Sequence, residues 1–399
     1  MRWIMTPGLM SLVLGYALSQ FYRAFLAVLT PTLQSELGAG PADLALSSGL
    51  WYIAFAAMQI PVGWGLDRYG PRETVAFLLA LGGGGGALVF ALATAPWHAH
   101  VAMALLGVGC APVMMGSFFI FARTLPPASM SAAGGAVVGL GSLGNMLGAA
   151  PLVWVVNQIG WRETLLVLAV VTLAVAATIF LYVKNPDRPA GKLPPARLRE
   201  LLKVRELWPI LPLLSVTYAA SACIRGLWAG PYLVEVFGAS DYLIGWVTLG
   251  MGLAMVTANL SVGWIVRLFG SDKRTSVANT ALLCSVLATL AFAPGMSLGL
   301  SATLLVMVCI SDSSYSLIMS HGRVFLPHHL VGRGITFLNM VSIAGVGVMQ
   351  FMSRPVYLAA SERHEAPTAY GYIFLFFLIP LALGLVIYLF SSEDRHAGN

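Results

Sequence analysis

Residues 62–70 read VGWGLDRYG, and residues 262–270, at an offset of 200 positions, read VGWIVRLFG. Gly70 matches Gly270 in this alignment. Each copy lies at the end of the second long apolar run of its half of the chain. The shared position argues against a sequence similarity that arose by chance. The pattern indicates that the chain consists of two related halves.

The composition indicates that lipid surrounds most of the chain. Among its 399 residues, 58% are hydrophobic and 10% are charged, and the mean hydropathy is +0.83. Soluble domains carry about 25% charged residues, which a water-facing surface requires. A helix that crosses a bilayer needs roughly 20 apolar residues. Twelve apolar runs qualify, at approximately 8–31, 43–66, 74–95, 99–122, 129–158, 163–183, 207–236, 242–268, 275–294, 297–321, 331–358 and 368–391.

These runs predict an all-α integral membrane protein with 12 transmembrane helices. The runs do not alternate apolar and polar residues, which excludes a porin-type barrel. The first run follows Arg2 as a signal peptide would, but it is too long and lacks a convincing cleavage site. We therefore predict that it is the first transmembrane helix.

The basic residues predict the topology. With both termini on the cytoplasmic side, Arg162, Arg354 and Arg363 fall outside, Arg23 and Arg225 fall within the membrane, and the other 17 of the 22 Lys and Arg fall inside. This distribution follows the positive-inside rule and is typical of a bacterial inner-membrane protein. The net charge of +6 therefore reflects topology rather than nucleic-acid binding, because no basic stripe with interleaved aromatic residues occurs.

The longest polar connection divides the chain. Residues 183–206 read VKNPDRPAGKLPPARLRELLKVRE, between the sixth and seventh runs. We predict an N-terminal six-helix bundle over 1–183, a cytoplasmic linker with an amphipathic helix over 184–206, and a C-terminal six-helix bundle over 207–399. The linker helix is a tether between the bundles, with a regulatory lipid site as the alternative. Parallel six-helix repeats are one architecture of secondary transporters, whose substrate binds between the halves.

Two arginines interrupt apolar runs at related positions. Arg23 lies in the first run of the first half and Arg225 in the first run of the second half, 202 positions apart. A charge near the membrane centre costs at least ~2.5–3.5 kcal/mol, and arginine cannot deprotonate to avoid that cost. An anionic substrate would offset it through charge-assisted hydrogen bonds. The alternative is that each arginine ties helices together through carbonyls or a buried acid.

Polar and aromatic residues at helical spacing extend this candidate substrate site. They are Gln20, Tyr22, Trp51, Tyr52 and Gln59 in the first half, and Tyr218, Ser221, Trp228 and Tyr315 in the second. Asp312 is the only acid well inside a run, and three roles remain open for it: counter-ion to Arg225, carrier of a coupling proton, or structural or substrate-contacting group.

The stretch GWGLDRYGPR at 63–72 resembles the loop between the second and third helices of the major facilitator superfamily. The resemblance extends to the twelve runs, the 6+6 repeat and the basic central loop. It implies transport by rocker-switch alternating access, with this loop closing the cytoplasmic side. By resemblance, Asp67 would cap a helix or pair with the other half, Arg68 and Arg72 would join that network, and Gly63 and Gly70 would permit close approach and a tight turn.

The chain also departs from the family pattern. The second copy of the loop carries Arg267 where the first carries Asp67, so the gate is expected to be asymmetric. LLGVGCAP at 105–112 resembles a helix-4 pattern of the family without the arginine that drug exporters carry. Arginines on helices 1 and 7 are similar to the organophosphate and organic-anion branch.

The leading hypothesis is a monomeric secondary transporter of a small organic anion, with a coupling proton as a further candidate partner. No enzyme motif, metal-binding spacing or ATP-binding loop stands out, so no cofactor is expected. One alternative is a carrier of a neutral aromatic or vitamin-like solute or drug. Another is a Cu(I) importer, because soft sulfur ligands select that ion. A third is a non-transporting receptor on the same fold. The copper ligands would be Met114, Met115, Met251, Met255 and the four cysteines.

Overall fold

The computed structural model describes residues 6–124, 137, 139–186, 201–311, 313–326 and 331–392. Within these ranges the regular structure is helical, and no strand occurs. We number the candidate membrane-crossing segments as spans 1 to 12 in chain order.

The first six spans occupy the first half of the chain. Spans 1 and 5 are bent pairs of helices, with angles of 53° and 45° between their members. The bounds of spans 1 to 6 are Pro7–Ala24 with Leu26–Leu37, Pro41–Arg68, Pro71–Ala91, Pro96–Thr124, Gly139–Leu147 with Ala150–Ile159, and Trp161–Tyr182.

The last six spans occupy the second half. Span 7 contains the helices Leu211–Cys223 and Ala229–Phe237, which a π-helical segment at Ile224–Trp228 joins. Span 10 consists of Leu298–Ile310 and Ser313–Val324. The bounds of spans 8, 9, 11 and 12 are Asp241–Phe269, Asp272–Phe292, Val331–Ser361 and Ala366–Leu389.

Length and apolar character qualify these helices as membrane spans. Ten single helices in the described part of the chain are long and apolar enough, and the count reaches 12 when each bent pair is one span. The backbone of such helices satisfies its own hydrogen bonds, as lipid requires. The prediction of an all-α integral membrane protein is confirmed.

The chain forms two compact units. The first contains Met1–Ala190 and Ser240–Leu249, and the second contains Gly191–Ala239 and Gly250–Asn399. Residues 240–249, which include the beginning of span 8, thus group with the first unit, whereas the remainder of span 8 belongs to the second unit. The predicted amphipathic linker lies mostly outside the described residues, and the boundaries at 183/184 and 206/207 stay a prediction.

Glycines with positive φ mark the same two points in each half. Gly38 has φ 67° and Gly238 has φ 64°, and each ends a helix in the left-handed conformation that glycine adopts without a Cβ penalty. Gly70 and Gly270 have φ of 99° and 82°. The offset of 200 read from the sequence is therefore also an offset in backbone conformation.

Close helix packing repeats in the two units as well. A Cβ added at Gly144 in span 5 would collide with the carbonyl oxygen of Ala17 in span 1. A Cβ added at Gly345 in span 11 would collide with that of Ser215 in span 7. Small residues let membrane helices approach closely, because dispersion and polar contacts, rather than water exclusion, hold them together in lipid.

Candidate functional site

Arg23 lies on an aromatic surface inside the first unit. It stands in the last turn of the helix Pro7–Ala24, where span 1 bends. Its guanidinium carbon is 5.0 Å from the ring centroid of Trp51 and 5.1 Å from that of Phe55, both in span 2. The two rings are stacked with centroids 5.1 Å apart. Cation–π attraction of this kind is worth about 0.5–1 kcal/mol when exposed and ~2 kcal/mol when desolvated.

Three uncharged residues of the predicted site each have a buried polar atom without a hydrogen-bond partner among the described residues. These atoms are the indole N–H of Trp51 and the amide oxygens of Gln20 and Gln59. The amide nitrogens of the two glutamines donate to the Tyr16 hydroxyl and the Phe55 carbonyl. Buried polar atoms in native proteins nearly always have a partner, so these positions are suited to a bound molecule or water. We call Arg23, Gln20, Trp51, Phe55 and Gln59 the Arg23 cluster.

Tyr52 and Tyr22 differ in their relation to this cluster. The ring of Tyr52 meets that of Trp51 edge-on, with centroids 4.8 Å apart. Tyr22 is fully buried, and its hydroxyl shares a hydrogen bond of 2.9 Å with that of Thr172 in span 6. This contact fastens span 1 to span 6 and gives Tyr22 a packing role, and its predicted contact with substrate stays a prediction.

Arg225 lies in the π-helical segment of span 7 and is 4% exposed. A π-helical turn inserts a residue and widens the helix, and such turns are frequent at functional sites. Both arginines thus stand where the first span of their half departs from α-helical geometry, by a bend after Arg23 and by a wide turn around Arg225. The sequence predicted neither irregularity.

Trp228 is a packing residue of the second unit. It is fully buried, and its indole N–H donates to the Ser353 hydroxyl at 3.1 Å. Its ring lies 5.2 Å from that of Tyr357. With its one polar atom bonded inside the bundle, Trp228 has a packing role, and its predicted contact with substrate stays a prediction.

A second group of predicted residues does come together in the second unit. The rings of Tyr218 in span 7 and Tyr315 in span 10 are 5.4 Å apart and half-buried. The Tyr315 hydroxyl donates to the amide oxygen of Asn339 in span 11 at 2.7 Å. The Ser221 hydroxyl donates to the Tyr218 carbonyl. The sequence analysis did not include Asn339 in the candidate site. Its amide side chain within the apolar run 331–358 was the signal that could have indicated it.

Asp312 lies outside the described residues, and its three candidate roles stay open. Its neighbours Ser313 and Ser314 are placed by Asn279 in span 9, whose amide donates to their hydroxyls at 3.0 and 2.9 Å. A different acid stands out in the second unit. The carboxylate of Glu235, near the end of span 7, accepts a hydrogen bond of 2.7 Å from the Tyr357 hydroxyl.

The buried amide of Gln350 was also missed. It is fully buried in span 11, and neither its nitrogen nor its oxygen has a partner among the described residues. A lone amide in an apolar run was the signal in the sequence.

The loop after span 2 is tied down within the first unit. The carboxylate of Asp67 pairs with Arg123 of span 4 at 3.4 Å, so the described partner of Asp67 belongs to its own half rather than to the other one. The amide of Asn185 accepts from the Arg72 backbone N–H at 2.9 Å and donates to the Glu73 carboxylate at 2.6 Å.

The glycines of this loop behave differently from each other. A Cβ at Gly70 would collide with Asn185, and φ is 99°, so the tight turn expected there is present. A Cβ at Gly63 would meet nothing within 4 Å, so the close helix approach expected there is not found. The guanidinium of Arg68 lies over the rings of Trp64 and Tyr69.

Sulfur ligands do not form a shared cluster in any contact that the described residues show. Met251 and Met255 are buried in span 8, while Cys110 and Cys223 are buried in spans 4 and 7. Among the described residues, no group of three or more His, Cys, Asp or Glu is placed to hold a metal ion.

Comparison with known proteins gives a family and a fold. The family model described as Major Facilitator Superfamily matches residues 12–385. The chain is 27% identical over 185 residues to the probable sulfoacetate transporter SauU of Cupriavidus necator, and 25% identical over 257 residues to the putative transporter AraJ of Escherichia coli. The matches cover 46% and 61% of this chain, and span 42% and 62% of the lengths of those relatives.

Solved structures share the fold at low sequence identity. A bacterial homologue of the human lysosomal transporter Spinster superposes with a TM-score of 0.74 at 16% identity over 96% of both chains. A D-xylose–proton symporter superposes with a TM-score of 0.75 at 14% identity, over 97% of this chain and 98% of its own. At these identities the likeness concerns the fold alone.

Proposed function

Because the family model matches nearly its whole length, this chain belongs to the Major Facilitator Superfamily of transporters, and we propose that it carries a small organic anion by alternating access. The observation that carries the proposal is the Arg23 cluster. A guanidinium rests on two stacked rings, next to an indole N–H that has no partner among the described residues.

The chemistry of the cluster fits a carboxylate, sulfonate or phosphate. The rings of Trp51 and Phe55 lie against the guanidinium, whose N–H groups are donors suited to anionic oxygens. Bonds from a guanidinium to an anionic oxygen are roughly twice as strong as neutral ones. The Trp51 N–H is a second donor, and the Gln20 amide oxygen accepts from a substrate hydroxyl or N–H.

The relatives support this substrate class. One of the two curated relatives is described as a probable sulfoacetate transporter, and sulfoacetate carries both a sulfonate and a carboxylate. In the second unit, Arg225 is the group that we propose for anion recognition. The aromatic rings of the Arg23 cluster also suit a neutral aromatic solute, which is the competing proposal.

The test is counterflow uptake in proteoliposomes, with an organic acid such as sulfoacetate and with its carboxylate ester. Arg23→Lys and Arg225→Lys keep the charge but lose the planar fork, so each should weaken binding more than ten-fold, or ~1.4 kcal/mol. Arg363→Lys, at an exposed position, is the matched control and should leave uptake unchanged.

A double-mutant cycle of Arg23 and Arg225 shows whether both act on one ligand, since residues that share a ligand give non-additive losses. Equal uptake of acid and ester by the wild type, together with lysine variants that bind as the wild type does, would contradict the anion proposal and favour the neutral solute.

A further inference from the structure

The first unit has an apolar groove on its outer surface, apart from the Arg23 cluster. It lies between spans 2, 3 and 6 and has a volume of about 790 Å³. The exposed side chains of Trp64, Phe77 and Phe180 form its walls. Small residues such as Ala80 and Ala177 line it, which leaves the space open.

Two arginines lie over the walls of this groove at one end. The guanidinium carbon of Arg72 is 4.4 Å from the ring centroid of Phe180. That of Arg68 is 5.2 Å from the ring of Trp64. Glu73 is an acid that lines this end, and its carboxylate accepts a hydrogen bond from the Asn185 amide at 2.6 Å and lies 3.9 Å from the Arg72 Nε.

We propose that this groove binds a glycerophospholipid with an anionic headgroup, with an acyl chain along spans 2, 3 and 6 and the phosphate at Arg68 and Arg72. The apolar walls fit the acyl chain of the lipid. They do not select one lipid over another, because the acyl chains of all bilayer lipids are similarly apolar. Selectivity comes from the arginines, since basic residues at the membrane surface attract anionic lipids.

The internal repeat supplies a comparison within the same molecule. A pocket of about 170 Å³ in the second unit lies between spans 8, 9 and 10, so it is not the repeat counterpart of the groove between spans 2, 3 and 6. Leu268 stands in place of Arg68, and Asp272 stands in place of Arg72. The second unit therefore lacks both arginines at the related positions, so the proposed phosphate site belongs to the first unit.

Lipid bound at the two arginines would affect the loop between spans 2 and 3. Arg68 and Arg72 lie on either side of Gly70, whose φ of 99° makes the turn between spans 2 and 3. Positive charge places this end on the cytoplasmic side in the predicted topology, where anionic lipids are concentrated. A bound headgroup would bridge the ends of spans 2 and 3 and hold the loop.

The test uses the full-length protein purified in neutral detergent. Native mass spectrometry measures binding from an equal mixture of phosphatidylglycerol and phosphatidylcholine with identical acyl chains. The wild type should retain phosphatidylglycerol in preference, and Arg68→Gln with Arg72→Gln should reduce that preference about 25-fold, at roughly 1 kcal/mol for each basic residue. The matched double variant Arg267→Gln with Arg274→Gln should keep the wild-type preference.

A second variant addresses the groove independently of charge. Ala177 is an exposed lining residue, so Ala177→Leu fills the groove without entering the core and should reduce the binding of both lipids at this site. Equal retention of the two lipids by the wild type would overturn the proposal. So would a loss of preference in the second-unit double variant alone, or displacement of phosphatidylglycerol by inorganic phosphate at equal concentration.

Discussion

At the scale of single residues, the two predicted tryptophans separate into different roles. Trp51 and Trp228 are both almost fully buried. The indole N–H of Trp228 is bonded to Ser353, whereas that of Trp51 has no partner among the described residues. The indole of Trp228 therefore stabilises the second unit, whereas the indole N–H of Trp51 is a hydrogen-bond donor suited to a ligand.

Substituting each tryptophan by phenylalanine tests that difference. Trp51→Phe and Trp228→Phe remove the same volume, so the cavity costs are comparable, but Trp228→Phe also breaks a buried hydrogen bond. We expect Trp228→Phe to cost about 1 kcal/mol more free energy of unfolding, and Trp51→Phe to reduce the ligand-induced rise in Tm. Thermal unfolding with and without substrate measures both, and equal behaviour of the two variants would contradict the assignment.

At the scale of helices, each unit has a close crossing between its first and fifth spans. Span 1 meets span 5 at Gly144, and span 7 meets span 11 at Gly345, each against a backbone carbonyl. Gly144 and Gly345 are therefore needed for helix packing.

Gly144→Ala and Gly345→Ala should each destabilise the protein by about 1–3 kcal/mol, the usual cost of overpacking, because a backbone carbonyl cannot move aside as a flexible side chain can. Gly139→Ala is the control, since its added Cβ would meet nothing within 4 Å, and it should be neutral or stabilising. The measurement is Tm in detergent, and an unchanged Tm for both crossing variants would refute the argument.

At the scale of the whole molecule, transport requires two populated conformations, and small local changes alter their ratio. The Asp67–Arg123 pair is 3.4 Å long, and the Asp67 side chain is 73% exposed. Exposed pairs contribute only about 0–1 kcal/mol to folding, so we expect the loss of this pair to change stability little.

Asp67→Asn should shift the population toward the inward-facing state with Tm nearly unchanged. Cysteine accessibility from each side of the membrane reports the shift. Glu36→Gln is the comparison, because Glu36 forms a 2.8 Å ion pair with Arg162 at the other end of the first unit, and it should not shift accessibility in the same direction. Unchanged labelling of Asp67→Asn would exclude the gating role.

Coupling is a second property of the whole molecule. If Asp312 carries the coupling proton, Asp312→Asn should abolish accumulation driven by a pH gradient and leave exchange of substrate for substrate intact. Glu235→Gln, made in parallel, tests the acid that Tyr357 binds. Uphill uptake that persists in Asp312→Asn removes the proton-carrier role from that residue.

The sequence by itself determined the membrane fold, the family and the two-fold repeat, because lipid imposes long apolar runs and turns impose glycine at fixed positions such as 70 and 270. It also pointed to Arg23 and Trp51, which the fold brings together. Only the tertiary structure decided which polar atoms find partners: Tyr22 bonds to Thr172, Trp228 to Ser353 and Asp67 to Arg123. Helical spacing shows which residues share a face of a helix, but not which helix packs against that face. The contacts depend on how the helices pack, and on the bend after Arg23 and the π-helical turn around Arg225, which sequence periodicity does not predict.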